Sequence, residues 1–583
     1  MFGVEEEAYP LEQMIDVASG RARADLVLKN ASVVNVFTND IIEGDVAIHR
    51  GYIAGIGRYE GNSAIDVKGK YVAPSFIDGH VHVESSMVMP IQYARAVVPH
   101  GTGAVIADPH EIANVLGMEG IMFMRKSMRS GLLDFYVMLP SCVPSTDLET
   151  NGVALDALDI KPLMTEPYVL GLAEVMNYPG VVYRDPEVLG KIRVALRHNK
   201  RIDGHAPGLS GMSLNAYAAA RITSEHECTT LEEAKEKLAV GMQIHIREGS
   251  TAKNLEALVG ILNPGSSMFC SFVTDDRNTL DLVTKGHIDS MVRDAIALGV
   301  DPIVAIKAAT ISTARHYGLR HKGSIAPGHH ADLVVLDSLK KINVKMVFKR
   351  GELVAKDGVL VKEMGEIDIP RLRRSVNISW LEPHDFQVKA EGELMNVIGM
   401  IPNQLITEHL VEETRVVDGL AVPDIDRDLA KVVIIERHNA TEPHAVGFVK
   451  GTGIKEGAMV SSVAHDSHNI VAVATNDHDL IDAAIQIVRM HGGIAIVRDG
   501  EVLESLPLPI AGLMSDRPIE EVGEKLKSLN EAAHVIGTTL DEPFMAMAFL
   551  SLPVIPKLKI SDLGLIDVEK QRIIGLFETP DEA

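Results

Sequence analysis

Two histidines one residue apart, His80 and His82, close the apolar run Phe76-Ile77-Asp78-Gly79. Side chains alternate faces along an extended strand, so both imidazoles point the same way and can hold one metal ion at a strand end. Such a pair can also be two ordinary histidines. The polar Glu84, Ser85 and Ser86 that follow at once favour the metal. Further on, Glu174 ends Gly171-Leu172-Ala173-Glu174, His205 follows Gly204, His226 ends Ser224-Glu225-His226, and Asp275 lies in Val273-Thr274-Asp275-Asp276. Four imidazoles and two carboxylates suffice for two divalent ions, with a carboxylate between them. Two metals ~3.5–4 Å apart can share a water whose pKa falls from ~15.7 toward ~7, a nucleophile made without serine or cysteine.

These residues can meet only if the chain brings them to one place. From Tyr71 to about Tyr317, short apolar strands alternate with helical stretches, the pattern of a parallel sheet with crossover helices. The strand candidates end near His82, Asp108, Leu139, Glu174, His205, His226, Glu248 and Asp275. Eight such units match the size of a (β/α)8 barrel, a fold whose catalytic residues sit at the C-terminal strand ends. The expected fold class is therefore α/β: a TIM-type metallo-barrel over residues 71–317. A helix near residues 11–23 and short β-rich segments up to residue 70 precede it. Similar strands follow over 318–363, including Ala331-Asp332-Leu333-Val334-Val335-Leu336. Both sets are expected to form one discontinuous β-sandwich. Met364 to Pro370 is expected to be a linker. Residues 371–583 are expected to be an α+β domain with strands at 431–435 and 494–497. Its helices are expected at 479–490 and from about Ser515 to His534, the latter with Pro518 in its first turn.

Composition narrows the function classes. A net charge of −24 argues against nucleic acid as a partner, since phosphate binding needs a basic surface. Only three cysteines occur, Cys142, Cys228 and Cys270, with no C-x-x-C, so neither a disulfide framework nor a thiolate zinc site is indicated. A reducing cytoplasm is the expected location. Glu5, Glu6 and Glu7 replace an apolar signal core, and no apolar run approaches the ~18 residues of a membrane span. A zinc deaminase of the cytidine type is excluded by the missing H-x-E…P-C-x-x-C signature.

Other residues are candidates for supporting roles. Asp275 is the expected proton shuttle, acting as base and then acid, or else a purely structural ligand. Glu84 continues the alternation beyond His82 and is a second candidate for proton delivery, or a solvated loop carboxylate. His110 and Glu111 follow the second strand and could bind substrate or orient a ligand. Arg247, Glu248 and Ser250 follow the seventh and could contact a substrate edge, although Arg247 and Glu248 could equally form a surface pair. His245 could face the barrel interior as a satisfied core histidine, and Asp276 could support the ligands from behind. The run His465-Asp466-Ser467-His468-Asn469 could be another metal site or a polar loop covering the active site.

Several long motifs go further. His82-Val83-Glu84-Ser85-Ser86, Ala107-Asp108-Pro109-His110-Glu111-Ile112-Ala113-Asn114, Gly204-His205-Ala206-Pro207-Gly208, His465-Asp466-Ser467-His468-Asn469 and Gly512-Leu513-Met514-Ser515-Asp516 resemble the bacterial adenine deaminases of the amidohydrolase superfamily. The resemblance covers essentially the whole chain. It implies hydrolysis of adenine to hypoxanthine and ammonia in purine salvage, with a purine base as partner and a homo-oligomeric state. It also implies a binuclear site using Mn2+ or Fe2+. Carried over by position, His80, His82, Glu174, His205, His226 and Asp275 would be the ligands. Glu174 stands where many amidohydrolases carry a carboxylated lysine, which disfavours hydantoinase-like readings. The alternative is another amidohydrolase acting on a different heterocycle or a cyclic amide.

Overall fold

The computed structural model describes residues 9–364, 372 and 375–578, apart from 130, 403, 442 and 443. Glu5 to Glu7, and all of the expected linker except Met364, lie outside the described residues. The catalytic half is built on parallel strands labelled here β1 (Phe76–Val81), β2 (Thr102–Ala107), β3 (Asp134–Leu139), β4 (Val169–Val175), β5 (Arg201–Gly204), β6 (Ser224–Glu225), β7 (Gln243–Arg247) and β8 (Cys270–Val273). β1 to β5 form one run of neighbours and β6 to β8 another. The first seam is closed by Thr223 N–H donating to the Ile202 carbonyl (2.9 Å). At the second, His82 N–H donates to the Asp275 carbonyl (3.1 Å) and Asp275 N–H to the His80 carbonyl (3.0 Å). The barrel is therefore closed, and its last closing bonds are made by three of the residues expected to do chemistry. β1, β2, β7 and β8 are buried at every position, as parallel strands covered on both faces must be.

Asp203 anchors the barrel interior below the mouth. Its carboxylate accepts from Ser224 Oγ (2.7 Å) and Tyr317 Oη (2.7 Å), with His316 Nε2 at 3.4 Å. Tyr317 Oη also lies 2.8 Å from the Gly79 carbonyl, so the network reaches β1 directly beneath the His-x-His pair. His245 stacks parallel to Tyr317 here and is a core histidine whose pKa burial pushes well below the usual range. Burial alone would raise the Asp203 carboxyl, but hydrogen bonding from His316 and Ser224 and the neighbouring imidazoles hold it down to about 2.

Strands from both flanks of the barrel join one nine-stranded sheet. Tyr71–Pro74 pairs antiparallel with Leu333–Leu336 one residue before the chain enters β1, and Ala24–Asn35 pairs with Gly61–Asp66 along its first half and Tyr71–Pro74 near its second. One face packs on itself around Leu28, Val33, Val46, Ile53, Val72, Leu333 and Phe348. A buried ion cluster fastens the sheet to the barrel: Lys349 reaches Asp134 at the start of β3 (2.6 Å), and Lys322 bonds Asp332 (2.5 Å) and also contacts Asp134.

The C-terminal half is an eight-stranded, mostly antiparallel sheet whose consecutive neighbours include Leu429–Ile435, Ile470–Ala474, Ala458–Ser461 and Gly493–Arg498. Helix Asp477–Met490 covers one face through Leu480, Ala484 and Ile487. Helix Ile519–Val535 begins later than expected, and Pro518 is its N-cap rather than a first-turn residue, with ψ 147° still extended. The connection between Ala458–Ser461 and Ile470–Ala474 carries His465, Asp466 and His468 out of this sheet and over the barrel mouth.

Replacing Asp203 with Ala would leave Tyr317, Ser224 and His316 facing a buried gap. The expected loss is about 3–5 kcal/mol in chemical denaturation, and near-native stability would show that the network carries no load. In the native protein this contribution should be full above the unfolded-state pKa of ~3.9. It should be lost as pH falls toward 2, because the folded carboxyl titrates lower than the unfolded one.

Candidate active site at the barrel mouth

The C-terminal ends of the strands deliver the expected donors to one point. His80 and His82 leave β1 on the same side, and their Nε2 atoms lie 3.3 and 3.1 Å from Asp275 Oδ1. The same atoms lie 3.6 and 3.3 Å from Glu174 Oε1. The other oxygen of Glu174 faces the opposite pair: Oε2 is 2.7 Å from His205 Nδ1 and 3.2 Å from His226 Nε2. Glu174 thus stands between two groups of imidazoles, one oxygen to each. Asp275 holds its place with φ +54°, a left-handed conformation that costs energy in most residues and clusters at functional sites. His82 Nδ1 lies 3.1 Å from the Asp108 carbonyl, which fixes the ring and leaves Nε2 for the centre.

All six residues are buried, and two of their ring nitrogens are unsatisfied. His80 Nε2 and His205 Nε2 have no hydrogen-bond partner among the described residues, a costly state for buried polar atoms. Burial would lower the histidines, yet Asp275 and Glu174 hold His80 up at about 10, and Glu227 and Glu174 hold His205 up at about 9. Glu174 in turn lies well below the usual carboxylate range, against its burial, because His226 and His205 face it. The arrangement calls for positive charge that either protons or metal cations can supply. The groups His80, His82, Asp275 and His80, Glu174, His226 each offer donor atoms close enough to hold an ion. The donor set of nitrogen and carboxylate oxygen fits divalent first-row cations.

Around this centre lies a small cavity of about 20 Å3. His110, Glu111 and Arg247 line it, as does Asp276, which accepts from Ser85 Oγ. Arg247 is not paired with Glu248; its guanidinium bonds Asp275 Oδ2 at 3.0 Å and Glu227. Glu248 and Ser250 stand outside the cavity wall: Glu248 accepts from Leu255 N–H (3.0 Å), and Ser250 donates to Asp281 (2.8 Å). Alternation fails there because β7 stops at Arg247. Glu84 is also absent from the wall. It accepts from Ile112 N–H (3.3 Å), and burial together with the charge of Glu111 raises its pKa to about 7.

Two groups of wall residues escaped the reading of the sequence. Glu227 sits next to His226 but was masked by it; a carboxylate 3.6 Å from His226 Nε2 and paired with an arginine on β7 has no short motif. Leu405, Phe549, Leu552 and Ile555 come from the C-terminal half and form an apolar ceiling, together with His465 and Asp466. Two buried cations hold this ceiling in place. Arg437 donates to the carbonyls of Ser375 (2.6 Å), Ala511 (3.0 Å) and His468, and Lys559 Nζ donates to those of Leu405 (2.8 Å) and Phe549 (2.9 Å). Ser515 N–H donates to the Met87 carbonyl (2.8 Å), tying the Gly512–Asp516 run to the segment after β1. The His465–Asn469 run stands over the mouth, as a covering loop would, and Glu111, His465 and His468 also offer donor atoms close enough to hold an ion.

With this geometry in view, the family models divide the chain in two. Residues 71–354 match the amidohydrolase family, and residues 404–572 match the adenine deaminase C-terminal domain. An adenine deaminase of Kosmotoga olearia is 46% identical over 97% of this chain and 98% of its own length. An adenine deaminase of Dehalococcoides mccartyi is 47% identical over 97% of this chain and 99% of its own. The chain belongs to the adenine deaminase family. The C-terminal segment that supplies the ceiling is thus a named domain of that family, and it covers a barrel of the amidohydrolase type.

One contact between the two halves is made by Glu111 at the start of helix His110–Ser127. Its carboxylate meets His465 Nδ1 at 2.7 Å and also His468 Nε2. Glu111→Ala should raise amide hydrogen exchange across residues 464–469 while β1 stays protected. Unchanged exchange in that loop would show that this contact does not hold the ceiling down.

Proposed function

We propose that the protein hydrolyses adenine to hypoxanthine and ammonia. The observation that carries the reading is the Glu174-centred cluster of four histidines and Asp275, in a chain that aligns end to end with adenine deaminases. Two divalent cations held by His80, His82, Glu174, His205, His226 and Asp275 would supply a nucleophilic hydroxide at neutral pH. Mixed imidazole and carboxylate donors suit Mn2+ or Fe2+.

The remaining work falls to the chain's own groups. Attack at C6 breaks the C6–N6 bond in the end. Water contributes its oxygen to the product, one proton goes to ring N1 and another to the departing amine. Asp275 lies among His80, His82 and Arg247 and is the group that takes the proton from the attacking oxygen and returns it to the leaving nitrogen. Arg247 bonds its other oxygen, Oδ2, and so aims Oδ1 at the centre. The apolar ceiling of Leu405, Phe549, Leu552 and Ile555 suits a flat ring and keeps bulk water away from the reacting carbon. Cys142, Cys228 and Cys270 are buried free thiols, which agrees with a reducing cytoplasm. No helix among the described residues is long and apolar enough to cross a membrane.

Manganese-loaded protein should release ammonia from adenine and not from cytosine, guanine or adenosine. No activity on adenine with the metal sites filled would end this reading. Asp275→Asn should lower kcat by about 10^2–10^4-fold, the usual range for a proton-transfer group, while hypoxanthine still binds. Near-normal turnover would remove Asp275 as the proton carrier.

A further inference from the structure

One carboxylate in the wall has no work in this account. Asp466 lines the cavity from the C-terminal domain and is buried, yet its Oδ2 has no hydrogen-bond partner among the described residues. Its nearest cationic candidates are out of reach: His110 Nε2 is 3.8 Å from Oδ1 and His465 Nδ1 is 4.0 Å. His465 Nδ1 is taken by Glu111 at 2.7 Å, and His110, whose Nδ1 is taken by Asp108 at 2.9 Å, has its Nε2 nearer to Glu111 (3.4 Å) than to Asp466. A buried carboxylate oxygen left without a hydrogen bond beside a cavity is expensive unless the occupant of that cavity supplies a donor.

The chemistry of the substrate restricts what that donor is. Adenine has two kinds of N–H: the exocyclic amine and the single N–H of its imidazole half. The amine is on the carbon under attack and must sit at the Glu174 cluster. Asp466 stands on the far side of the His110 ring from that cluster, since His110 Nδ1 is 3.6 Å from Glu174 while Nε2 faces Asp466. We propose that Asp466 accepts a hydrogen bond from the imidazole N–H of the bound base, and so selects free bases over purines substituted at that nitrogen. The C-terminal domain would then do more than cover the barrel. It would decide that a nucleoside, whose sugar occupies N9, is rejected, because the bond is lost and the carboxylate stays buried and unpaired.

This rests on adenine as the substrate, and the test separates the two. Wild-type protein is first assayed with adenine; failure there strikes the proposed function and not the role of Asp466. The inhibition constant of 9-methyladenine is then compared with the KM for adenine in wild-type protein. 9-Methyladenine should bind about 10- to 100-fold more weakly, the fold-change corresponding to one hydrogen bond to a charged group. Equal binding overturns the proposal without any variant being made. Asp466→Ala and Asp466→Asn, checked for unchanged metal content, should raise KM for adenine more than kcat falls. They should also narrow the gap between adenine and 9-methyladenine. Unchanged adenine kinetics, or an equal loss for both compounds, would overturn it.

Discussion

One buried carboxylate organises this protein. Glu174 presents Oε1 to His80 and His82 and Oε2 to His205 and His226, so imidazoles from three strand ends meet at one side chain. Such a cluster cannot be held by local structure. It needs β1, β4, β5 and β6 in fixed order around a closed barrel, and closure itself runs through the backbone of His80, His82 and Asp275. Fold and site are therefore the same set of bonds at this seam. The interior network of Asp203, Tyr317 and Ser224 sits directly below and keeps the strand ends from shifting.

The same constraint explains why a second half is present. A barrel mouth lined by ionisable groups is open to water unless something covers it, and charge interactions strengthen as water leaves. The C-terminal domain brings an apolar ceiling and two polar residues, His465 and Asp466, to that mouth. It fixes them with bonds from Arg437 and Lys559 to main-chain carbonyls, on top of apolar packing that runs across both halves. Both cations are wholly buried, so each carbonyl they hold replaces water that the cation has lost.

Much of this was legible in the sequence because parallel strands carry two signals together. Their interiors are apolar and continuous, and their C-terminal ends switch abruptly to histidine or carboxylate. His80, His82, Glu174 and Asp275 stand at such switches, His205 and His226 follow the short polar strands Arg201–Gly204 and Ser224–Glu225, and the structure brings all six together. The signal fails one residue past a strand end. Glu248 and Ser250 were expected in the wall because they follow the seventh strand, but there the chain already turns to cap the next helix. It fails again across domains. Leu405, Phe549 and Ile555 are ordinary apolar residues in sequence, and only their meeting with a loop hundreds of residues away makes them a ceiling. Arg437 gave no signal either, since its partners are backbone carbonyls, which no side-chain motif records.

Glu174, with one oxygen turned to each pair of imidazoles, would hold two cations side by side. Electron paramagnetic resonance of protein loaded with two equivalents of Mn2+ tests it directly. A bridging carboxylate predicts an exchange-coupled pair, whose spectrum collapses to that of isolated Mn2+ in Glu174→Ala. Uncoupled, isolated-ion signals from the fully loaded wild-type protein would contradict it.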